Sequence, residues 1–189
     1  IRFCVMRFHI RSFFFCPILF APLLLFSAGG CSSIPKKSFP ELNVVPYVDI
    51  ERYLGKWHEI ALYPNWFEKG CFSSTAFYEK LENNQIKVTN QCRMYSPDGD
   101  LNEAVGRAFI TDRNSNAKLK VQFFWPFRGD YWVVELDSDY QYAVVSEPDR
   151  QYLWILSRTP EIEPKILLSL KERIKEKGFD LNYLELTKR

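Results

Sequence analysis

Few residues in this chain have the types and spacing that chemistry needs. His58 and Glu59 open the run His58-Glu59-Ile60-Ala61-Leu62. A zinc hydrolase of the His-Glu-x-x-His type puts a second imidazole four residues after the first, and Leu62 stands there. After residue 30 the only histidine is His58, so a histidine-rich metal centre lacks ligands. No Gly-x-Ser-x-Gly nucleophile turn occurs. Cys71 as a nucleophile needs a free thiolate. No catalytic residue, metal ligand or cofactor is expected, and no enzyme. Glu59 is a candidate buried carboxylate that meets either a ligand's polar group or a structural partner.

The five cysteines divide by position. Cys4 and Cys16 fall in a leading segment with Arg7 and Arg11 ahead of an uncharged run, 13–28, and then Ser27-Ala28-Gly29-Gly30. That is the pattern of a secretory signal over 1–30, with Met6 the expected initiator. The run has 16 residues and holds Pro17 and Pro22, short of the roughly 20 that a spanning helix needs. Ala28-Gly29-Gly30-Cys31 resembles the lipobox of bacterial lipoproteins, with Ala28 where leucine is usual. Cys31 would then carry lipid, and Ser32 after it resembles outer-membrane sorting. The alternative is ordinary cleavage beside a stray thiol. Cys71 and Cys92 are the pair left over, and export favours a disulfide over two buried thiols.

The charge balance, 25 basic against 23 acidic residues, is too even for a nucleic-acid partner. Losing Arg2, Arg7 and Arg11 with the signal takes the net charge from +2 to −1. Residues 31–46, with Pro35, Pro40 and Pro46, read as the lipidated cysteine and a tether. The folded domain spans 47–189.

The elements that position these residues are mainly strands. Alternating runs recur at 57–63, 73–80, 86–93, 102–111, 118–124, 131–136, 140–146 and 152–157. Turn chemistry such as Glu82-Asn83-Asn84 and Ser96-Pro97-Asp98-Gly99 separates them. Spacing of about ten residues favours an antiparallel meander, closed as a barrel or folded as a sandwich. A hairpin turning near Asn83 brings Cys71 and Cys92 together. A helix follows Pro160 and Pro164, with Ile166, Leu167, Leu170 and Ile174 as its apolar stripe and Gly178 as its stop. It packs on the barrel wall, or lies on a membrane surface. Residues 181–186 make a last short strand.

Alternation also assigns faces. Lys118, Lys120 and Gln122 leave Leu119, Val121 and Phe123 inward; Lys87, Thr89 and Gln91 leave Ile86, Val88 and Asn90 inward. In the eighth strand Tyr152, Trp154 and Leu156 share a face. In the sixth, Trp132, Val134 and Leu136 are the better inward set. Trp57 and Tyr78 join them. Ala104, Gly106 and Ala108 leave room for a small ligand, unless the core is solid. Tyr78, Asn90 and Tyr152 are candidates to hold a headgroup. Phe124, Trp125 and Phe127 lie in a connection at the mouth. They form a lid, a membrane contact or a homodimer surface, or fold inward.

Three stretches carry a family resemblance: "YLGKWHEIALYPNWFEKGC", "GDYWVVELDSDYQYAVVSEP" and "YLWILSRTP". In order, they resemble the lipocalin family, and with the signal, Cys31 and the late helix the chain looks like a bacterial outer-membrane lipocalin of the apolipoprotein D branch. His58 stands where the family usually has tyrosine. The resemblance implies an all-β fold: an eight-stranded antiparallel up-and-down barrel with one C-terminal α-helix. It implies a closing motif of Gly55, Trp57 and Arg158, the guanidinium stacked on the indole. It implies a fatty acid or lysophospholipid as partner; the residues that strand parity turns inward, Tyr78, Val88, Asn90, Val121, Phe123, Trp132, Tyr152 and Trp154, are the candidates to bind it, and the family's pattern supports Trp132 among them. The place is the outer membrane, reached through Cys31 on the periplasmic side, and the role is envelope maintenance; the alternatives are a lipid-modifying enzyme of the same fold and a structural envelope lipoprotein without ligand.

Overall fold

The structure is a computed structural model, and it describes residues 40–189. The signal segment, Cys31 and the first part of the tether lie outside the described residues. Eight strands alternate with tight connections: β1 (Gly55–Leu62), β2 (Cys71–Lys80), β3 (Ile86–Met94), β4 (Leu101–Ile110), β5 (Lys118–Gln122), β6 (Gly129–Leu136), β7 (Tyr142–Ser146) and β8 (Leu153–Ser157). Each pairs antiparallel with the next, and β1 pairs with both β8 and β2. The sheet therefore closes on itself as a barrel, which removes its free edges. A ninth strand, β9 (Glu185–Leu186), adds to β1.

Two short elements escaped the sequence reading. Residues 40–46 are no free tether: Leu42 is buried, and the Val45 amide donates to the Val133 carbonyl at 3.0 Å. Helix α1 (Ile50–Tyr53) follows, its first turn capped by the Asp49 carboxylate accepting from the amides of Glu51 and Arg52. One turn is too short for periodicity to reveal.

Helix α2 (Pro164–Glu176) begins on Pro164, whose missing N–H costs nothing there. It stops at Gly178, which takes φ +89°. Its stripe packs outside the barrel. Leu170 and Ile174 are fully buried against Val134, Val144, Leu153 and Ile155. A second apolar cluster fills the inside, built on Trp57, Tyr78, Val88, Leu119, Val133 and Val145.

The barrel has distinct ends. The connections 81–85, 111–117 and 137–141, with α1, cover one; 63–70, 95–100, 123–128 and 147–152 ring the other, the mouth. The Cys71–Cys92 disulfide ties β2 to β3 at the mouth, with Cα atoms 5.4 Å apart.

The face assigned to β6 needs correction. Lys118 pairs with Trp132 and Leu119 with Tyr131, so Trp132 shares the outward face of Lys118. The Lys118 ammonium lies 4.2 Å from the Trp132 ring centre, and the indole packs with the outer cluster. Tyr131 and Val133 point inward. A bulge between Val133 and Glu135 then turns the strand, so Leu136 returns to the inner cluster while Val134 and Glu135 face α2. A bulge inverts parity beyond it. Glu135 uses its place to receive Arg173 at 2.9 Å and Lys177 at 3.1 Å.

Candidate ligand site inside the barrel

The closed end is built around Trp57. Its side chain is fully buried, and its indole N–H donates to the Tyr53 carbonyl at 2.9 Å. The Arg158 guanidinium lies 3.8 Å from the ring centre. It also donates to the carbonyls of Arg52 at 2.7 Å, Lys56 at 3.0 Å and Tyr140 at 3.1 Å. A cation on the indole face, held by three carbonyls, forms a rigid stopper. Gly55 is called for by its backbone rather than by space. Its φ is +91°, and a Cβ there would sit 3.5 Å from Arg158 Nη1. The closing motif is thus a physical unit: Arg158 lies on Trp57, and Gly55 lets the chain turn beside them.

Above the stopper lie buried Tyr53 and Tyr78 and half-buried Tyr131. The Tyr131 hydroxyl is 2.8 Å from that of Tyr53 and 2.8 Å from that of Tyr78. Burial pushes all three phenols up, Tyr78 to about 12, so each stays a neutral O–H. Two bonds among three hydroxyls use two of the three protons. Among the described residues no acceptor takes the third. These rings line a small void with Val48, Ile50, Ile86, Ala108, Leu119, Val121 and Val133. The void is narrow, with room at its core for about one water. The small residues of β4 do not leave it wide: a Cβ on Gly106 would come within 2.8 Å of the Phe123 ring, which fills that place.

Nearer the mouth the lining turns polar. Val88, Asn90, Val121 and Trp154 lie on inward columns of β3, β5 and β8, Phe123 follows directly after β5, and Val88 is almost fully buried. The Asn90 side-chain carbonyl oxygen and the Ser74 hydroxyl are buried with no hydrogen-bond partner in the protein. Tyr152 stacks on Trp154 at 5.9 Å and touches Phe67 of the first mouth loop. The Trp154 indole N–H donates to Glu68 at 3.1 Å. Glu59, one inward step from Trp57, accepts from the Thr187 hydroxyl at 2.7 Å. Burial, then the neighbouring Glu68 carboxylate, push Glu59 up to about 8.

The structure brings Tyr78, Val88, Val121, Phe123 and Trp154 into one inner cluster with Trp57, and excludes Trp132 from it. Sequence reasoning missed Tyr53, Tyr131 and Thr187. Tyr131 was legible only by choosing the other parity for β6. Thr187 arrives by insertion: β1 and β2 part after the His58–Thr75 pair, and the C-terminal residues fill the seam. There Thr187 N–H donates to the Ile60 carbonyl at 3.0 Å and Ser73 N–H to the Lys188 carbonyl at 2.7 Å.

A closed antiparallel up-and-down barrel, plugged at one end by a capped indole and lined inside by apolar and buried polar groups, defines the class of small internal-site β-barrels. The chain belongs to the lipocalin-like domain family, whose family model matches residues 48–189. It is 40% identical over 170 residues to the outer membrane lipoprotein Blc of Citrobacter freundii, covering 89% of this chain and 93% of that one. It is 42% identical to the same-named protein of Vibrio cholerae, covering 82% and 89%. Mouse apolipoprotein D is 34% identical, covering 86% and 84%. Among solved structures, insecticyanin from the tobacco hornworm superimposes with a TM-score of 0.64 at 21% identity, over 80% of this chain and 86% of that one. These relatives make this chain a lipid-anchored lipocalin of the bacterial outer membrane, on the apolipoprotein D branch.

Proposed function

We propose that the barrel binds a single-chain lipid, a fatty acid or lysophospholipid, with its tail in the lumen, while acylated Cys31 holds the protein on the periplasmic face of the outer membrane for envelope maintenance. One observation carries this reading. An apolar lumen keeps Asn90 Oδ1 and Ser74 Oγ buried and unpartnered, where a solid core would have satisfied or excluded them. A lipid's hydroxyl supplies the missing donor to Asn90. A tail of about a dozen methylenes gains roughly 10 kcal/mol gross at about 0.8 each, and ordering costs leave a fraction. The narrow void sets a condition: Phe123 and Trp154, half-buried on the mouth side, must swing aside as the tail enters. That narrowness also favours a second reading, a structural envelope lipoprotein with an unfilled barrel.

Native mass spectrometry of protein extracted mildly from membranes separates the two. A co-purifying lipid supports binding; an empty barrel that takes up no fluorescent fatty acid rejects it. Asn90→Leu keeps the shape and removes the amide acceptor. Lysophospholipid affinity should fall about fivefold to tenfold, in line with roughly 1 kcal/mol for one hydrogen bond, while thermal stability holds or rises.

A further inference from the structure

Two carboxyl groups meet inside the barrel. Glu59 comes from β1, and Glu68 reaches it from the 63–70 connection, close enough for the two side chains to hydrogen-bond. Two buried carboxylates in contact repel, so such a pair keeps a proton between its oxygens. Among the described residues neither carboxyl forms an ion pair. The cation that acts on Glu59 is Arg189, and its guanidinium donates to the Glu59 backbone carbonyl at 3.1 Å. The other partners are neutral: the Thr187 hydroxyl on Glu59, and the Trp154 indole N–H and the Asn65 amide on Glu68.

A purely structural cluster would satisfy its own members, and this one does not. Ser74 is 8% exposed, yet its hydroxyl has no partner in the protein. It shares the inward column of Ala76 and Tyr78, and Ala76 pairs with Trp57. Ser74 therefore stands level with Glu59, across the seam that Thr187 fills. Asn90, whose Oδ1 also lacks a partner, pairs with Ala76 from the next strand. Acceptor oxygens from β1, β2, β3 and the 63–70 connection thus border one region. A primary ammonium brings three donors and a positive charge. It supplies what the region lacks: donors for Ser74 and Asn90, and a countercharge that lets the carboxyl pair release its proton. A fatty-acid carboxylate brings the reverse, a third acidic group without a donor.

We propose that Glu59, Glu68, Ser74 and Asn90 form a headgroup subsite in the lumen, and that it selects a single-chain lipid carrying a primary ammonium over one whose headgroup lacks it. The inference rests on the lumen reading above and narrows its ligand class. When the ammonium enters, the proton held by the carboxyl pair passes to solvent, and the cation takes its place between the oxygens. Two sources carry this chemistry, lysophosphatidylethanolamine and a long-chain amine.

The test uses the full, processed, acylated protein in a mild non-ionic detergent. Native mass spectrometry reads competition between lysophosphatidylethanolamine and lysophosphatidylglycerol of one acyl chain, and between hexadecylamine and hexadecanoic acid. The ammonium member should be favoured about tenfold or more, the effect of one charge-assisted hydrogen bond. A preference for the amine over the acid alone assigns the subsite to a long-chain amine; the same preference in both pairs assigns it to the ammonium in either setting. The Glu59→Gln, Glu68→Gln double variant should bind both members of each pair without preference. Calorimetry in phosphate and in Tris near pH 7 should show release of about one proton per ammonium lipid bound, which carboxyls of purely structural role would not give. That count is read on the unaltered protein, so it decides even where the double variant does not fold. Equal heats in the two buffers, no preference in either pair, or a preference that survives in the double variant overturns the proposal. Binding of all four probes without preference strikes this inference alone; binding of none strikes the lumen reading, and this one with it.

Discussion

Arg158 makes contacts that lysine cannot copy. Its plane lies on the Trp57 ring while its N–H groups reach three carbonyls on three different segments. Arg158→Ala removes a partly desolvated cation–π contact and strands those carbonyls, for a loss of about 3 kcal/mol. Arg158→Lys should recover less than half, since an ammonium is a point charge without the fork. Urea unfolding midpoints for the three proteins give the order directly. Glu59 behaves in the opposite way. It is 6% exposed, and burial followed by the Glu68 carboxylate raise it to about 8. A carboxyl with a raised folded pKa favours the folded state fully below its unfolded value of about 4.5. That contribution is lost as pH climbs to about 8, because the unfolded chain releases its proton first. Glu59→Gln should therefore match the parent near pH 4 and exceed it by a few kcal/mol near pH 8. Equal pH slopes from pH 4.5 to 8 would show that Glu59 is ionised in the folded protein.

At the scale of elements, strand existence was legible and strand faces were less so. Alternation marks β3 and β5 because Lys87, Thr89, Lys118 and Lys120 stand opposite apolar partners. In β6 both columns are apolar, so nothing in the run 131–134 announces a bulge, and Trp132 is read to the wrong side. Glu135 held the only signal: Glu135 and Trp132 face outward together only if parity breaks between them. Of the strand expected over 181–186 only Glu185–Leu186 forms, because Asp180 caps a 3-10 turn over Leu181–Tyr183; its place was not legible, since that depends on β1 and β2 parting far away in sequence. Its insertion makes a prediction. Deleting 185–189 removes the Thr187 and Lys188 backbone bonds, the Thr187 bond to Glu59 and the Arg189 bond to the Glu59 carbonyl. About 1 kcal/mol for each of these four bonds, with the β9–β1 pairing lost as well, puts the loss at about 4 kcal/mol or more. Amide exchange should accelerate first at Ser73 and in the second half of β1. Uniform acceleration across the barrel would mean that the seam is not where the tail acts.

For the whole molecule, closure and emptiness are separate properties, and the sequence speaks to them unequally. Eight alternating runs with tight turns favour a meander, and the resemblance at Gly55, Trp57 and Arg158 adds the closing contact. Emptiness depends on side-chain volumes summed across strands that alternation cannot align. Gly106 and Ala108 looked like room, yet Phe123 arrives from the neighbouring strand and fills it. Phe123 thus narrows the lumen above Gly106, and the corrected face of Trp132 provides the matching control. Phe123→Ala should open the space above Gly106 and speed uptake of a fluorescent fatty acid at least threefold. The lost packing of a half-buried ring lowers stability by about 2 kcal/mol. Trp132→Ala deletes a larger ring of similar burial from the outer cluster, so it should cost comparable stability while leaving uptake unchanged. If uptake responded to Trp132 and ignored Phe123, the ligand would lie outside the barrel, under the Lys118 and α2 face, and the sealed interior would be a core.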